Sequence, residues 1–372
     1  MLEDDGDVLG ALLRDAVEAG HPPAAQFCVV KDGRVAHQAA AGCTDDSIFD
    51  VASLTKVVAT ASAIAWLIGR GEVSLDDRMG RFLPRARADA SLRELLAHRS
   101  GLPAWRPFFL QAMRDPVAGS CFVSASEPPS RASWARARSL VLDAVLGTPV
   151  EHPPARVYSD LGFITLGAIV EAVSGQRLDH FCAAHLHAGY DVGFVDLAAD
   201  GPTWVDGRHV LPTGVTRPRA PAPGQEHLFD VPEQPPREDP GRVDDDNAFA
   251  MGGVAGHAGV FGTARAIAQF VYERWVMDSA QRDLFLAVDR PSLQPPRALG
   301  FDVPTAGSTA GEFGRGARVF GHLGFTGCSV WIDLDRRLSV ALLTNRTLPG
   351  RQYTAGIRAL RPRIHDAVAA LF

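Results

Sequence analysis

Lysine is nearly absent from this sequence of 372 residues. Of its 37 basic residues only Lys31 and Lys56 are lysine, so the other 35 are arginine. A lysine amine can lose its proton at accessible pH, whereas a guanidinium cannot. Lys31 belongs to Lys31-Asp32-Gly33-Arg34, which predicts a hairpin turn and needs no further explanation. Lys56 has no such explanation, so a chemical role for its amine has to be considered.

Other absences exclude whole classes of protein. The five cysteines are scattered without a C-x-x-C pair, which argues against a disulfide framework and a structural zinc site. A net charge of −6 argues against a nucleic-acid partner. The best apolar run, residues 57–68, is interrupted by Thr60 and Ser62, so no membrane span is expected. We therefore predict no cofactor, no bound metal and no membrane span, and the oligomeric state stays open.

The first residues, Met1-Leu2-Glu3-Asp4-Asp5, are acidic, which is the opposite of a secretory leader. The sequence as written predicts a cytoplasmic protein. If a leader was removed, a periplasmic or exported location is expected instead.

The apolar periodicity predicts the order of the elements. The eight prolines between Pro212 and Pro240 exclude regular structure and predict a surface excursion over 212–240. Strands at both ends of the chain most simply join one antiparallel sheet. The predicted fold is α+β, with that sheet flanked by N- and C-terminal helices. The predicted domains are a sheet domain, residues 1–50 and 280–372, and a helical domain, residues 51–279, inserted between its two parts. The predicted helices cover 7–19, 54–68, 91–97, 134–146, 161–173, 177–187, 264–276 and 353–371, and the strands 25–31, 34–40, 317–323, 328–334 and 337–345.

Ser53-Leu54-Thr55-Lys56 begins the most apolar of these helices. Residues three apart share one helical face, so the Ser53 hydroxyl and the Lys56 amine are expected to be neighbours. Burial and the positive end of the helix dipole both disfavour an ammonium ion, which would make Lys56 a base for Ser53. The backbone N–H of Ser53 could bind an oxyanion. Alternatively, Ser53 is only a helix cap and Lys56 a solvated side chain.

Two more polar groups stand at the ends of predicted elements. Tyr158-Ser159-Asp160 precedes the helix 161–173, and His322-Leu323-Gly324 ends the strand 317–323. A phenol and an imidazole can both carry a proton beside a Ser–Lys pair. Taken singly, Tyr158 also fits a half-buried aromatic residue and His322 a polar residue at a strand end.

In this order and spacing, the three motifs resemble the serine β-lactamase and penicillin-binding-protein superfamily. Its pattern is S-x-x-K, then Y-x-N, then a basic residue-x-G. The tyrosine and the histidine are similar to those of class C β-lactamases, DD-peptidases, family VIII carboxylesterases and the penicillin-binding protein 4 group. Residues 71–77 look like the turn after the nucleophile helix, residues 95–103 like its LLxHxSGLP segment, and residues 252–264 like its GGxxSTA segment.

The resemblance implies a role for each matching residue. Ser53 would be the acylated nucleophile, and Lys56 and Tyr158 the general-base pair that deprotonates it and later protonates the leaving group. The backbone N–H groups of Ser53 and Phe325 would form the oxyanion hole. His322 would hold a substrate carboxylate or shuttle a proton. The implied substrate-binding residues are Asp160, Gly324, Asn247 and His257.

Two residues depart from the pattern of the family. Asp160 replaces the Asn of Y-x-N, and a carboxylate cannot donate a hydrogen bond to a substrate carbonyl unless it is protonated. Asp160 could instead pair with Lys56 and raise the pKa of that amine. His322 replaces the usual Lys and weakens the fixed positive charge near neutral pH. Both changes disfavour an efficient β-lactamase.

Three further segments are weaker candidates. Residues 252–262 are glycine-rich but lack the Lys-Ser/Thr of a P-loop, so they are interpreted as a site-edge loop with Thr263 as a helix cap. Asp244-Asp245-Asp246-Asn247 is interpreted as a solvated loop, which the resemblance places near the cleft mouth. Cys182, His185 and His187 end an amphipathic helix and are interpreted as helix-surface residues rather than metal ligands.

These observations predict a metal-independent serine hydrolase that forms an acyl-enzyme on Ser53. Its substrate would be a small molecule, peptide or ester with an ester, amide or lactam carbonyl. DD-carboxypeptidase, penicillin-binding or esterase activity is favoured. The alternatives are a class C-like β-lactamase and a catalytically silent binding or sensor protein.

Overall fold

Strands from the two ends of the chain meet in one five-stranded antiparallel sheet, as predicted. A computed structural model describes residues 7–123, 128–151, 156–200, 203–214, 240–277, 280–288 and 296–372. The strand order is β2-β1-β8-β7-β6, and Phe27 of β1 pairs with Leu342 of β8. The strands are β1 Ala25–Lys31, β2 Arg34–Ala41, β6 Val319–Leu323, β7 Ser329–Asp333 and β8 Leu338–Thr344.

Helices cover both faces of this sheet. Along β1, Phe27 and Val29 face a core shared with the terminal helices α1 (Val8–Glu18) and α11 (Ala355–Leu371). Cys28 and Val30 alternate with them and face the larger core, where α9 (Ala264–Val271) lies against β1 and β8. This alternation is the period-two pattern of a strand that is buried on both faces. The predicted α+β architecture is confirmed.

A second, three-stranded sheet was not predicted. Its order is β3-β5-β4, from β3 (Phe49–Asp50), β4 (Val192–Phe194) and β5 (Val260–Gly262). Strands of two or three residues are too short to show a period-two pattern in the sequence. This small sheet matters for function because β3 leads directly into Ser53.

The predicted helices of the inserted region are present, with small shifts at their ends. Most of the excursion 212–240 lies outside the described residues. The domain boundaries stay a prediction. The remaining helices are α2 Ala61–Gly69, α3 Leu92–Leu96, α4 Phe109–Arg114, α5 Arg131–Leu146, α6 Asp160–Ser174, α7 Leu178–His185, α8 Asp246–Ala250 and α10 Arg282–Phe285.

One helical stretch in the described part of the chain, Ala52–Gly69, is long and apolar enough to cross a membrane. However, 78% of that stretch is buried inside the protein, which is the position of a core helix. It begins as a short 3₁₀ turn, Ala52–Leu54, and a π-helical turn, Lys56–Thr60, before α2. Single π turns within helices are frequent at functional sites.

Candidate active site

The backbone turns sharply just before Ser53. Ala52 has a φ of +48°, in the left-handed region, where a residue other than glycine is strained by about 1–3 kcal/mol. The N–H of Ala52 donates a hydrogen bond of 2.8 Å to Asp50 Oδ1, which holds this conformation. Strain of this size persists where the surrounding structure imposes it, and it turns Ser53 toward the cleft.

The Lys56 ammonium group is fully buried and has three acceptors. It donates to Ser53 Oγ at 2.9 Å, to Asp160 Oδ1 at 2.8 Å and to the carbonyl of His257 at 3.3 Å. Three acceptors match the three protons of an ammonium ion. The predicted proximity of Ser53 and Lys56 is therefore present, and the alternative of a solvated Lys56 is wrong.

The charge state of Lys56 differs from the first expectation. Burial lowers the pKa of this amine, as predicted, but the Asp160 carboxylate and Tyr158 raise it by more, so the pKa is raised overall. The second expectation, that Asp160 pairs with Lys56, agrees with the ion pair. In the resting protein Lys56 is a hydrogen-bond donor to Ser53 and has to lose a proton before it can act as a base.

The ring of Tyr158 has three polar neighbours, which are the imidazole rings of His98 and His322 and the ammonium group of Lys56. Its ring centroid is 4.6 Å from that of His98, 5.8 Å from that of His322 and 4.9 Å from Lys56 Nζ. Burial raises the pKa of the phenol, although the charge of Lys56 opposes this. Tyr158 is therefore protonated at neutral pH. The structure brings the three predicted motifs together around one point.

His322 is a neutral imidazole in this environment. It is 1% exposed, and burial lowers its pKa to about 4. Its Nδ1 lies 2.8 Å from the carbonyl of Leu323, which assigns the ring proton to Nδ1 and leaves Nε2 as an acceptor. Nε2 has no hydrogen-bond partner within the described residues. A neutral acceptor does not provide fixed positive charge for a substrate carboxylate.

Gly324 allows the end of β6 to approach the nucleophile turn. A Cβ atom at this position would lie 2.7 Å from the carbonyl oxygen of Val51, closer than side chains permit. This approach brings Phe325 into the same cleft as Ser53. The two backbone N–H groups that the resemblance assigns to an oxyanion hole are thus on adjacent segments, and their role stays a prediction.

These residues line one cleft of about 430 Å³, a volume typical of small-molecule sites. Three of its walls come from the nucleophile turn, from the start of α6 and from the end of β6. The cleft residues are Ala52, Ser53, Tyr158, Asp160, Asp244, Asp245, His257, Ala258, Arg297, Asp302, His322, Leu323, Gly324 and Phe325.

Asp160, Asp245 and His257 offer ligand atoms within 4.8 Å of one another, as a metal site would. The Asp160 oxygen Oδ1 accepts from Lys56, and His257 Nε2 lies 2.8 Å from Asp245 Oδ1. The ammonium group of Lys56 therefore supplies a positive charge beside Asp160, and Asp245 and His257 contact each other. We interpret these three residues as a group that orients Lys56 rather than as a metal site.

Asn247 does not reach the cleft, contrary to the expectation that it binds substrate. It is 0% exposed, its Oδ1 accepts from the N–H of Phe109 and its Nδ2 donates to the carbonyl of Arg106. Asn247 therefore joins α8 to the start of α4 and to the residues just before it. The interpretation of residues 244–247 as a solvated loop is wrong, because all four residues are buried.

Of the three residues at the end of α7, two are not at the helix surface. Cys182 and His187 are buried, and His187 Nε2 lies 3.2 Å from the carbonyl of Val58. Thr263 does cap α9, because its side chain accepts from the N–H of Ala266.

Arg297 and Asp302 also line the cleft, and neither was expected there from the sequence. They form an ion pair in the cleft, and the guanidinium carbon of Arg297 lies 5.4 Å from the centre of the Tyr158 ring. An isolated bridge between Asp302 and Gly321 places the pair beside β6. No motif marks either residue in the sequence, and their position in the cleft follows from the fold.

Comparison with known proteins agrees with this geometry. The family model for Beta-lactamase matches residues 9–362, so the chain belongs to the beta-lactamase family. It is therefore a beta-lactamase-related serine hydrolase, and the resemblance drawn from the three motifs is confirmed.

Three known proteins are similar to this chain in sequence or in fold. A "Putative D-alanyl-D-alanine carboxypeptidase" of Salmonella agona (strain SL483) is 24% identical over 382 residues, covering 91% of this chain and 82% of that protein. The structure of "EstCE1, a hydrolase with promiscuous acyltransferase activity" has a TM-score of 0.65 at 18% identity, covering 95% and 97% of the two chains. A class C beta lactamase from Rhodobacter sphaeroides has a TM-score of 0.65 at 16% identity, covering 98% and 100%. The two structures share the fold with this chain.

Proposed function

We propose that the protein hydrolyses an ester or amide through an acyl-enzyme on Ser53. The observation that carries this proposal is the hydrogen bond of 2.9 Å between Lys56 Nζ and Ser53 Oγ inside the cleft. A buried amine within hydrogen-bond distance of a hydroxyl is the arrangement that activates a serine nucleophile.

In the proposed mechanism, one proton leaves the Lys56–Tyr158 pair before reaction, which makes that pair a base. Ser53 Oγ attacks the substrate carbonyl while its proton passes to the pair, and the negative oxygen is bound by the N–H groups of Ser53 and Phe325. The proton is then delivered to the leaving alcohol or amine as its bond to the carbonyl breaks. Water attacks the acyl-enzyme by the same route, releases the acid and returns a proton to Ser53.

The charges of the cleft favour a substrate without a carboxylate next to the scissile bond. His322 is neutral above about pH 5 because burial lowers its pKa to about 4. The guanidinium group of Arg297 is paired with Asp302. An ester or amide without a carboxylate next to the scissile bond is therefore the favoured substrate. β-Lactams carry such a carboxylate and are disfavoured.

A second candidate is a DD-carboxypeptidase, whose peptide substrate ends in a carboxylate. The name of the Salmonella agona relative supports it. So does Arg297, because a guanidinium group at the cleft wall could exchange its contact with Asp302 for a substrate carboxylate.

The test is intact-mass spectrometry after mixing with a penicillin, a D-Ala-D-Ala peptide or p-nitrophenyl acetate, with turnover assayed in parallel. We expect ester turnover that Ser53→Ala abolishes, with little hydrolysis of the penicillin. Peptide cleavage exceeding ester cleavage would select the carboxypeptidase instead. A lasting Ser53 adduct without product release from any substrate would identify a binding or sensor protein and contradict the proposal.

A further inference from the structure

Asp50 is a buried carboxylate that the proposed mechanism does not use. It ends β3, opposite Phe261 of β5, and is 1% exposed. An acidic side chain is rarely buried unless its oxygens are bonded, because removing it from water is costly. The partners of Asp50 therefore indicate what it does.

Asp50 connects three separate segments of the chain. Oδ1 accepts a hydrogen bond of 2.8 Å from the N–H of Ala52, and Oδ2 accepts one of 2.7 Å from the N–H of Asp244. Its main-chain carbonyl accepts a hydrogen bond of 2.8 Å from the Thr326 hydroxyl. Ala52 precedes the nucleophile, Asp244 lines the cleft and Thr326 follows Phe325, so all three segments border the cleft.

We propose that Asp50 is a positioning residue that fixes the two oxyanion donors, the N–H groups of Ser53 and Phe325, relative to each other. This inference rests on the proposed function. The Ala52 bond supports the left-handed backbone, with a φ of +48°, that orients Ser53. The Thr326 bond holds the segment that carries Phe325 to the same residue. Donors that are aligned before reaction stabilise the developing charge without reorganisation.

The surroundings of Asp50 also set its ionisation. The carboxylates of Asp244 and Asp245 lie near the Asp50 side chain. The thiol of Cys328, the residue before β7, lies 3.6 Å from the main-chain carbonyl oxygen of Asp50. Burial raises the pKa of Asp50 to about 7. The two N–H donors lower this pKa, and the negative charges of Asp244 and Asp245 raise it. Burial raises the pKa of Cys328 to about 11, so that thiol is uncharged near neutral pH.

Protonation of Asp50 would weaken its two side-chain hydrogen bonds, to Ala52 and Asp244, and leave the bond from Thr326 to its main-chain carbonyl. Both carboxylate oxygens face N–H donors, so a proton on either oxygen opposes one of the two hydrogen bonds. We therefore expect acylation of Ser53 to become faster as the pH rises through about 7. Asn at position 50 imitates the protonated form, because its amide keeps one acceptor oxygen and places an NH₂ group against the other N–H.

The experiment measures the acylation rate with p-nitrophenyl acetate between pH 5 and 9 in wild type, Asp50→Asn and Asp333→Asn. Asp333 is a matched control, since it is 1% exposed and its Oδ1 accepts from the N–H groups of Asp335 and Arg336, outside the cleft. At pH 8 we expect Asp50→Asn to acylate about 10- to 100-fold more slowly, with KM little changed, as for a misplaced catalytic group. Asp333→Asn keeps the wild-type rate. Deprotonation of the Lys56–Tyr158 pair makes the rate rise with pH in all three proteins, and the additional step near pH 7 disappears in Asp50→Asn alone.

Asp50→Asn with the wild-type rate, or with the additional step near pH 7 intact, would overturn the proposal. Hydrogen–deuterium exchange provides a readout independent of turnover. In Asp50→Asn, the amides of residues 51–54 and 244–246 should lose protection together, and unchanged protection would refute the role of Asp50 even if Ser53 turns over no substrate. If Asp50→Asn fails to fold, exchange in wild type at pH 6 and 8, corrected for intrinsic rates, decides the question in the same way. Absence of any Ser53-dependent turnover would instead contradict the proposed function.

Discussion

At the scale of single residues, the Asp160 carboxylate decides the charge state of the Lys56 amine. It lies 2.8 Å from Lys56 Nζ and raises the pKa of the amine, against the lowering effect of burial. The spacing of Ser53 and Lys56 is a local pattern, so the sequence alone predicts that these two side chains are neighbours. Asp160 is 104 residues away along the chain, so the sequence offers a buried base and a partner of Asp160 as alternatives for Lys56, and the fold selects the second.

Asp160 therefore controls the pH at which the Lys56 amine becomes a base. Replacing the carboxylate in Asp160→Asn removes the charge that raises the pKa of Lys56, and burial then lowers that pKa. Because the deprotonated amine is the active form, the rising limb of the pH–rate profile should move to lower pH by about one to three pH units. The measurement is kcat/KM on a p-nitrophenyl ester between pH 5 and 10.

Lys56→Arg provides the control for this prediction. Arg keeps the charge but cannot serve as a base, so this variant should form no acyl-enzyme at any pH in that range. An Asp160→Asn limb that stays at the wild-type pH would show that Asp160 does not control the base. An active Lys56→Arg variant would show that Lys56 is not the base.

At the scale of elements, the longer helices and strands followed from periodicity, while their mutual placement did not. The segment 98–104 illustrates this. The N–H of Val157 donates to the carbonyl of His98, and the N–H of Ser159 donates to His98 Nδ1 at 2.9 Å. His98 thus bonds the residues on both sides of Tyr158, and its ring lies 4.6 Å from the Tyr158 ring at an interplanar angle of 34°. The LLxHxSGLP motif marks residues 95–103 in the sequence, and the fold shows that His98 of this motif holds Tyr158 in place.

Two substitutions of His98 should separate the effect of its hydrogen bond to Ser159 from the effect of its side-chain volume. His98 has a φ of +56°, which Asn tolerates, and an Asn side chain can accept from the N–H of Ser159. We expect His98→Asn to keep most of kcat, whereas His98→Leu leaves that N–H unpaired and lowers kcat about 10- to 100-fold. The loss of the hydrogen bond should destabilise His98→Leu by about 1–3 kcal/mol. Ester hydrolysis and urea unfolding measure the two effects.

His365→Leu is the matched control for the loss of a buried imidazole. His365 is 0% exposed and lies 2.7 Å from the carbonyl of Thr309 through Nδ1, outside the cleft lining. It should lower stability and leave kcat unchanged. Equal kcat values in His98→Asn and His98→Leu would mean that the acceptor at position 98 does not position Tyr158.

At the scale of the whole molecule, the site forms where the helical region meets the sheet. The start of the helical stretch supplies Ser53 and Lys56, α6 supplies Asp160 and the end of β6 supplies His322. The sequence predicted the two regions and the three motifs, because each is a local pattern. It did not indicate Arg297 and Asp302, whose position follows from a pairing between non-consecutive segments.

The burial that builds this interface also makes the protein sensitive to acid. Burial lowers the pKa of His187, His322 and His365 to about 4, and it also lowers the pKa of His98 well below its ordinary value. The unfolded chain binds a proton at each histidine near its ordinary pKa of about 6.5. Their contribution is therefore fully present above about pH 6.5 and declines as the pH falls toward 4. Asp50, with a raised pKa of about 7, takes up a proton in the folded state and offsets part of this loss.

We expect the free energy of unfolding to fall as the pH is lowered from 7.5 to 4.5, by up to about 3 kcal/mol for each buried histidine. Urea titrations at intervals of half a pH unit would measure this decline. His365→Gln removes one titrating group and should reduce the decline, since glutamine takes up no proton on unfolding. His180→Gln is the control, because the His180 side chain is 72% exposed and its removal should leave the slope unchanged. A decline that is the same in His365→Gln as in wild type would mean that proton uptake by buried histidines does not drive acid unfolding.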